Sequence, residues 1–274
     1  MRKLSTILAA LGLATSLGIA AESDAGSTVN ILVLNENGLG TAAQAQPYID
    51  KLVEIAAQQN GWSSASGKWI TSRERAKKYV RSDKPQFGIL SLGAFLELRK
   101  PNGLTVIGQV DAAATGGRQY FLVSKSGSGL GDCKGKSVAS NHADDAKFID
   151  KVVAGGAFKL GDFKLDKTSR PVQTLKKVIR GDATCALIDD AQLAELSHID
   201  GGSSVKKVWS SSALPPMAVV AFSGAPDADR AKFKASLGSL CAGAGKTHCD
   251  KVGIKALKPA DESAYASAVA AYGD

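Results

Sequence analysis

Short apolar runs alternate with longer amphipathic stretches along most of the chain. The apolar run VNILVLN at residues 29–35 is typical of a buried strand. The stretch AQPYIDKLVEIAAQQNGW then places Ile49, Leu52 and Val53 on one face of a predicted helix. Further strands are predicted at QFGILSLG, LTVIGQV and RQYFLVSK, with a short helix at AFLELRK. This alternation indicates an α/β fold built from layers of helices and sheets.

A second set of alternating strands and helices is predicted after residue 125. It comprises the strand KSVAS, a helix from His142 to Ala154, the helix VQTLKKVIRG and the strand ATCALID. The segments SSVKKVWSS and PPMAVVAF precede two C-terminal helices, DADRAKFKASLGSLC and ADESAYASAVAAYG. No repeat, low-complexity tract or long linker divides the sequence. We therefore expect two domains joined by strands, with the chain crossing out and back.

The N-terminus has the pattern of an export signal. A charged start, Met1 to Lys3, precedes the apolar run LSTILAALGLATSLGIA, which is short and is followed at once by acidic residues. We interpret residues 1–25 as a signal peptide cleaved after Ala21 or Ala25. No cysteine lies near this region, and no later segment is long and apolar enough for a membrane span. The sequence thus predicts a soluble, exported protein without a lipid anchor.

Composition and charge narrow the function classes. The 274 residues include 44% hydrophobic and 22% charged residues, which is ordinary for a globular protein. The net charge of +8 could favour anionic ligands, but it could equally serve solubility. We interpret the basic stretch SRERAKKYVRSDK at residues 72–84 as the solvated face of a helix. No aromatic interleaving or recognised motif supports nucleic-acid binding, and none is predicted.

Four cysteines in an exported chain indicate two disulfides, for which three pairings exist. Cys241 and Cys249 are close enough in sequence to close a small loop, and Cys133 would then pair with Cys185. The alternative is a metal site that uses His248 beside Cys249. One histidine next to one cysteine lacks the paired spacing of common metal ligands, so neither a metal nor a cofactor is predicted.

Four segments in order resemble a known protein family. They are RQYFLVSKSGSGLGDCKGKSVAS, VQTLKKVIRGDATCALIDDAQL, VKKVWSSSALPPMAVVAF and VGIKALKPADESAYASAVAAYG. In the family they correspond to a crossing strand with the segment after it, a helix–strand pair, a return strand and the C-terminal ending. The chain thereby resembles the type II periplasmic solute-binding proteins, nearest to the phosphonate/phosphate-type binding components of ABC importers.

The resemblance implies a two-lobed type II periplasmic binding protein of the α/β class, with a hinge of crossing strands. Lobe I would take residues 26–113 and 211–274, and lobe II residues 114–210. The lobes would close on a small, phosphate- or phosphonate-like anion in a cleft at strand C-termini and helix N-termini. We expect the mature protein to be a periplasmic monomer that delivers its ligand to an ABC permease in the inner membrane.

The resemblance also implies that three loops face the cleft. The first is NENGLG, which supplies Asn35, Glu36 and Asn37 as candidate ligand contacts. Gly38 and Gly40 would let the backbone of this loop approach a ligand closely. A plain turn explains the same residues equally well.

The second loop, LSLGAF, supplies Ser91 and Gly93 at the junction of a strand and a helix, where Ser91 could equally be a helix cap. Asp189 and Asp190 follow the strand ATCALI, at a place where the family often carries an acidic residue. Asp189 could accept a hydrogen bond from an amine or a protonated ligand oxygen, or either aspartate could cap the helix AQLAEL. His198 is interpreted as a surface residue at a helix end.

The third loop is the junction SVASNHADDAKF, where the family usually has hydroxyl side chains that bind the anion. Ser140 keeps that type, whereas Asn141 and His142 replace the rest. Asn141 is also expected as a helix N-cap, with Asp144 suited to the helix dipole. His142 could donate to an anion or titrate near neutral pH.

An enzyme is the first alternative class. Ser140, His142 and Asp189 could in principle form a catalytic set, for example in a hydrolase, although nothing in their spacing requires it. The three histidines of the chain lie outside the nucleophile-elbow, P-loop and zinc-helix motifs. We therefore predict that the protein is not an enzyme.

Two further alternatives concern the ligand that is bound and the partner protein that receives it. A metal-binding transport protein could use His142, Asp144 and Asp145, with Asp189 opposite. On a helix, however, His142 and Asp145 share a face that Asp144 does not. A periplasmic protein that senses a ligand for a receptor, rather than feeding a transporter, would have the same sequence pattern.

Overall fold

The computed structural model describes residues 27–36, 41–112 and 116–273. The predicted signal peptide and the candidates Asn37, Gly38 and Gly40 lie outside the described residues. Within the described ranges, eleven strands form a six-stranded and a five-stranded sheet. We refer to the part of the chain built on the six-stranded sheet as lobe I and to the part built on the five-stranded sheet as lobe II.

The strands are β1 (Thr28–Leu34), β2 (Ser64–Ile70), β3 (Phe87–Leu90), β4 (Thr105–Ala112), β5 (Tyr120–Ser124), β6 (Ser137–Ser140), β7 (Lys164–Lys167), β8 (Cys185–Asp189), β9 (Lys206–Ser210), β10 (Ala218–Ala221) and β11 (Ile254–Pro259). The α-helices are α1 (Ala42–Asn60), α2 (Arg73–Asp83), α3 (Leu92–Asn102), α4 (Ala146–Phe148), α5 (Pro171–Arg180), α6 (Asp190–Glu195), α7 (Asp227–Leu240), α8 (Lys246–Lys251) and α9 (Ala266–Tyr272). Helix α4 continues as a π-helical turn, Ile149–Val153.

The sheet of lobe I has the order β11-β4-β10-β3-β1-β2. Strand β1 runs parallel to β2 and β3, whereas β10 is antiparallel to β3 and β4. Alternate side chains of β1 enter two different cores. Ile31 and Val33 pack with residues of α1 and α7, and Leu32 and Leu34 pack with residues of α3. Burial on both faces explains why β1 is a continuous apolar run.

The sheet of lobe II has the order β7-β6-β8-β5-β9. Strand β6 is parallel to β7 and β8, and β5 is antiparallel to β8 and β9. Helix α5 covers one face, where Leu175 and Val178 pack with Phe121 and Ile188. The other face belongs to a core that also contains residues of lobe I.

The chain passes from one lobe to the other twice, after β4 and again after β9. The two crossing segments are hydrogen-bonded to each other. The backbone N–H of Ser211 donates to the carbonyl of Tyr120 at 2.8 Å, and that of Leu214 donates to the carbonyl of Arg118 at 2.8 Å. The Arg118 side chain also donates through Nε to the Leu214 carbonyl at 2.8 Å. The predicted α/β fold with paired crossing strands is therefore confirmed.

Three strands were missing from the sequence-based prediction, and all three lie at sheet edges. They are β2 and β11 in lobe I and β7 in lobe II. An edge strand is only partly buried and needs no continuous apolar run. The segment KLDK of β7, for example, has exposed lysines at both ends. The apolar-run criterion therefore finds central strands and misses edge strands.

Both predicted disulfides are present. Cys133 is bonded to Cys185, which links the start of lobe II to β8, and Cys241 is bonded to Cys249. The thiol of Cys249 is therefore engaged, and the alternative of a metal site with His248 and Cys249 is wrong. No helix in the described part of the chain is long and apolar enough to cross a membrane.

We expect the two disulfides to contribute unequally to stability, because they close loops of different length. Their sequence separations are 52 residues for Cys133–Cys185 and 8 residues for Cys241–Cys249. In the chain-entropy account these loops correspond to about 4 and about 2.5 kcal/mol. Urea unfolding of the double variants Cys133→Ala/Cys185→Ala and Cys241→Ala/Cys249→Ala should show the larger loss for the first pair. A larger loss for the second pair would contradict the loop-length explanation.

Candidate ligand-binding cleft

A cleft of about 490 Å³ lies between the two sheets. Both lobes supply its walls. Lobe I contributes Glu36, Thr71, Ser72, Arg73, Glu74, Lys77, Ser91, Gly93 and Glu97, and lobe II contributes Tyr120, Asn141, His142, Asp144, Asp145, Phe148, Ile149, Thr168, Ser169 and Pro171. The lining thus combines many charged side chains with a comparable apolar surface, to which Tyr120, Phe148 and Ile149 contribute.

Three helices begin at the cleft. Ser72 and Ser91 occupy the N-cap positions of α2 and α3 in lobe I, and Pro171 is the first residue of α5 in lobe II. The first turn of a helix has backbone N–H groups without intrahelical partners and carries the positive end of the helix dipole. In α2 the Ser72 side chain makes no capping hydrogen bond. The cleft therefore lies where both lobes present helix N-termini.

Arg73, the first residue of α2, is the centre of a charge cluster in the cleft. Its Nε and Nη2 donate to the two oxygens of Glu36 at 3.0 and 2.6 Å. Its Nη1 donates to Glu97 Oε2 at 2.8 Å and to Asp145 Oδ2 at 2.5 Å. Lys77 Nζ lies 2.5 Å from the other oxygen of Glu97. Only 15% of the Arg73 side chain is exposed, so the guanidinium is held almost wholly by carboxylates.

The environment shifts the pKa values of four members of this cluster, and that of Lys77 is raised first of all by its hydrogen bond with Glu97. Burial by itself would lower the pKa of Arg73, but its carboxylate partners, Glu36 first, raise it above the ordinary value. Burial also works to raise the pKa of Glu97, yet hydrogen bonds from Lys77 and Arg73 bring it below its usual range. For Asp145 burial outweighs the ion pair with Arg73, and the pKa is raised. Of the carboxylates Glu97 and Asp145, only Asp145 thus has a pKa on which burial outweighs the cationic partners.

The Arg73–Asp145 ion pair crosses the cleft, because Arg73 belongs to lobe I and Asp145 to lobe II. Gly93 lies directly beside it. A Cβ added at Gly93 would lie 2.7 Å from Asp145 Oδ2, 3.0 Å from Arg73 Nη2 and 3.2 Å from the Phe148 ring. The glycine is required here for close approach, since its backbone is not in the left-handed region.

The candidates of the first two loops have different positions. Glu36 lines the cleft, whereas Asn35 is buried and does not. Ser91 and Gly93 both line the cleft. Ser91 is at the N-cap position of α3, but its hydroxyl makes no capping bond and donates instead to Glu36 Oε2 at 2.8 Å.

The junction after β6 differs from the prediction. Helix α4 begins at Ala146 and not at His142, and its N-cap is Asp145, whose Oδ1 accepts from the Phe148 N–H at 3.3 Å. Asn141 is therefore not the N-cap. Its Oδ1 accepts from Gln192 Nε2 at 3.0 Å. Residues 142–145 precede the helix instead of belonging to it, so the observed start lies about one helical turn after the predicted one.

Ser140 and His142 are held by internal hydrogen bonds. Ser140 is 1% exposed, does not line the cleft, and donates from Oγ to the Leu187 carbonyl at 3.0 Å while accepting from the His142 N–H. His142 lines the cleft, and its Nε2 lies 2.7 Å from Gln192 Oε1. Its ring packs edge-on against Tyr120, with 5.1 Å between centroids. Only the exposed edge of His142 faces the cleft.

Asp189 has the capping role that was one of its two interpretations. Its Oδ1 accepts from the Gln192 N–H at 2.9 Å, and the Gln192 side chain returns to the Asp189 backbone. Asp189 is fully buried and does not line the cleft. Burial raises its pKa to about 6, against the opposing effect of His142. Asp190 instead accepts from the backbone N–H of Arg118 at 2.9 Å, next to the crossing segment.

These contacts do not support the two alternative sites. Among the residues that the structure describes, no three histidine, cysteine, aspartate or glutamate side chains are grouped as metal ligands. Asp145 pairs with Arg73, and the exposed Asp144 pairs with Lys167 at 2.8 Å. The hydroxyl of Ser140 points to a backbone carbonyl and His142 pairs with Gln192, so Ser140, His142 and Asp189 form no catalytic relay.

Arg73 and Lys77 were missed by the sequence analysis, which assigned residues 72–84 to a solvated helix face. Most of α2 is indeed exposed or half-buried, and Ala76 is its only buried residue. One signal was available in the sequence. An arginine in the first turn of a helix opposes the helix dipole and needs a compensating partner.

Comparisons with known proteins agree with this architecture. Residues 64–265 match the family described as "ABC transporter, phosphonate, periplasmic substrate-binding protein". Among curated proteins, no sequence matches the chain significantly.

Solved structures with the same fold share little sequence with this chain. The binding protein component of an ABC phosphonate transporter from Pseudomonas aeruginosa is 15% identical, with a TM-score of 0.65 over 87% of this chain and 83% of that one. PhnD1 from Prochlorococcus marinus, solved with methylphosphonate, is 12% identical, with a TM-score of 0.65 over 88% and 95%. A Xanthomonas citri protein bound to chloride is 10% identical, with a TM-score of 0.71 over 89% and 97%.

The raised pKa of Asp189 predicts a specific dependence of stability on pH. Its value of about 6 lies above that of an unfolded aspartate, so between about pH 4 and pH 6 the native state binds more protons and stability falls as pH rises. Asp189→Asn keeps an N-cap oxygen. Because its amide does not titrate, the variant should not show this fall in stability with rising pH. The variant should gain roughly 2–3 kcal/mol relative to wild type between pH 4 and pH 7.

Urea unfolding at a series of pH values checks this expectation. Asp144→Asn, at an exposed carboxylate, is the matched control. A difference between Asp189→Asn and wild type that stays constant across the pH series would contradict the assignment.

Proposed function

This chain belongs to the periplasmic substrate-binding proteins of phosphonate-type ABC transporters, and we propose that its cleft captures a small oxyanion of the phosphate or phosphonate class. As a member of that family it is the binding component of an ABC importer. The family binds and delivers a solute without chemical conversion, in agreement with the prediction that the chain is not an enzyme.

One observation supports the proposed oxyanion ligand most strongly. The N-termini of α2, α3 and α5 converge on a single cleft from both lobes, together with the Arg73 guanidinium. Unpaired backbone N–H groups and the positive ends of helix dipoles favour an anion at such a place. The Ser72 hydroxyl at the cleft, which makes no capping bond, adds a donor of the kind that binds phosphoryl oxygens.

The proposed mechanism is lobe closure about the crossing segments. We assign residues 26–113 and 211–274 to lobe I and residues 114–210 to lobe II. This assignment is supported by the sheets, because β1–β4, β10 and β11 share one sheet and β5–β9 share the other. A ligand that contacts both lobes stabilises the closed arrangement in proportion to its preference for closed over open.

The family places the protein in the periplasm, with a small-molecule ligand and a membrane permease as partners. Beyond that, we propose a monomer that has lost residues 1–25 and carries no lipid. The absence of cysteine near the cleavage region supports the last point. A receptor in place of the permease is the remaining alternative, and co-purification of the ligand-loaded protein with an ABC permease would decide against it.

Isothermal titration with inorganic phosphate, methylphosphonate and methanesulfonate tests the ligand class. At least one of these anions should bind and raise the melting temperature. Arg73→Lys keeps the positive charge, but an ammonium cannot bridge Glu36, Glu97 and Asp145 as the guanidinium does. The walls of the cleft should therefore lose their fixed spacing, and binding should weaken by about 10- to 100-fold.

Arg75→Lys is the matched control, since Arg75 is exposed on the same helix and does not line the cleft. Its affinity should equal that of the wild type. The proposed ligand class would be wrong if no anion of the set bound, or if Arg75→Lys weakened binding as much as Arg73→Lys.

A further inference from the structure

We propose that Asp145 makes the cleft selective for singly charged over doubly charged oxyanions, because its carboxylate already occupies the Arg73 guanidinium from across the cleft. The inference deepens the proposed function and rests on it, since it concerns which oxyanions the same cleft accepts. It assigns to Asp145 the part of a specificity-determining residue.

The contacts of Arg73 leave little room for a ligand oxygen. Glu36 takes two of its N–H groups in a bidentate pair, and Glu97 and Asp145 share the two N–H groups of Nη1. Glu36 and Glu97 belong to the same lobe as Arg73, whereas Asp145 approaches from lobe II. A ligand that reaches Nη1 from the cleft therefore has to displace, or lie beside, the carboxylate of Asp145.

The position of Asp145 is fixed by its surroundings. Its Oδ1 is the N-cap acceptor of α4, and its Oδ2 fits into space that Gly93 leaves open. Moving the carboxylate out of the cleft would break the cap. The Arg73–Asp145 contact is thus built by both lobes and is not a chance approach of two flexible side chains.

The net charge of the cleft also disfavours doubly charged ligands. Five charged side chains that line it have no more than about a third of their surface exposed, and they are Glu36, Glu97, Asp145, Arg73 and Lys77. Three are acidic and two are basic, so together they sum to −1. At the exposed rim Glu74 adds a further negative charge, whereas Asp144 is paired with Lys167. The electrostatic cost of bringing an anion into this environment grows with the charge of the anion.

Two small ligands isolate this effect. Methanesulfonate and methylphosphonate have nearly the same tetrahedral shape, and at alkaline pH the sulfonate is a monoanion while the phosphonate is a dianion. The two ligands therefore match in shape and differ in charge, and the whole field of the cleft, helix N-termini included, acts on that charge. A difference in affinity between them therefore reports the charge that the cleft tolerates.

The experiment measures both affinities by isothermal titration at alkaline pH for wild type, Asp145→Asn and Asp227→Asn. The wild type should bind methanesulfonate more tightly than methylphosphonate. Asp145→Asn keeps the N-cap oxygen and removes one negative charge next to Arg73. It should tighten methanesulfonate binding about tenfold and methylphosphonate binding about a hundredfold, because the removed repulsion doubles with ligand charge.

Asp227→Asn is the control, because it removes the same formal charge from a side chain that does not line the cleft, is 96% exposed and is paired with Arg230. Screening by solvent should limit its effect to about twofold on either ligand. If circular dichroism shows that Asp145→Asn does not fold, Asp145→Ser supplies a second neutral N-cap for the same measurement.

The outcomes separate the two proposals. Binding of both anions with the same affinity ratio in wild type and Asp145→Asn would overturn the role of Asp145 and leave the proposed function intact. An equal change in Asp227→Asn would also overturn it, because the effect would then be one of overall charge. Absence of binding of either anion to wild type and variants would overturn the proposed ligand class, and the selectivity with it.

Discussion

The confinement of a guanidinium among three carboxylates is the interaction on which the cleft depends. A charge removed from water is costly unless its hydrogen-bonding groups are matched. Arg73 meets this condition through Glu36 and Glu97 in its own lobe and Asp145 in the other. The cluster therefore ties the end of β1, the start of α2 and the middle of α3 to the start of α4, and it sets the spacing between the walls of the cleft.

The same cluster explains why carboxylates and helix N-termini coexist at one site. Arg73 stands in the first turn of α2, where a cation is unfavourable, and Glu36 beside it offsets that cost. Glu36 also accepts from Ser91 at the start of α3, while Asp145 caps α4. The acidic side chains are thus partly structural. A ligand in the cleft therefore meets helix N-termini whose positive dipole ends are already partly compensated by acidic side chains of the protein.

The sequence predicted the fold better than the site, for physical reasons that particular residues illustrate. Strands such as β1 and β10 are buried on both faces, so their apolar runs are visible without tertiary information. Side-chain direction is not visible in this way. Ser140 and Asp189 are at the predicted places in the chain, yet both turn into the protein and bond to backbone. Arg73 looks like one basic residue among many until the opposite lobe supplies Asp145.

The strand order of lobe I has a consequence for how the protein is made. Strand β10 lies between β3 and β4 in space but follows the whole of lobe II in sequence. A chain that emerges from its N-terminus first can complete the sheet of lobe II from contiguous strands, with the Cys133–Cys185 bond inside it. The sheet of lobe I stays split, with β4 unattached, until residues 218–221 arrive. Its completion is a long-range event, which slows folding and leaves apolar strand edges exposed in the meantime.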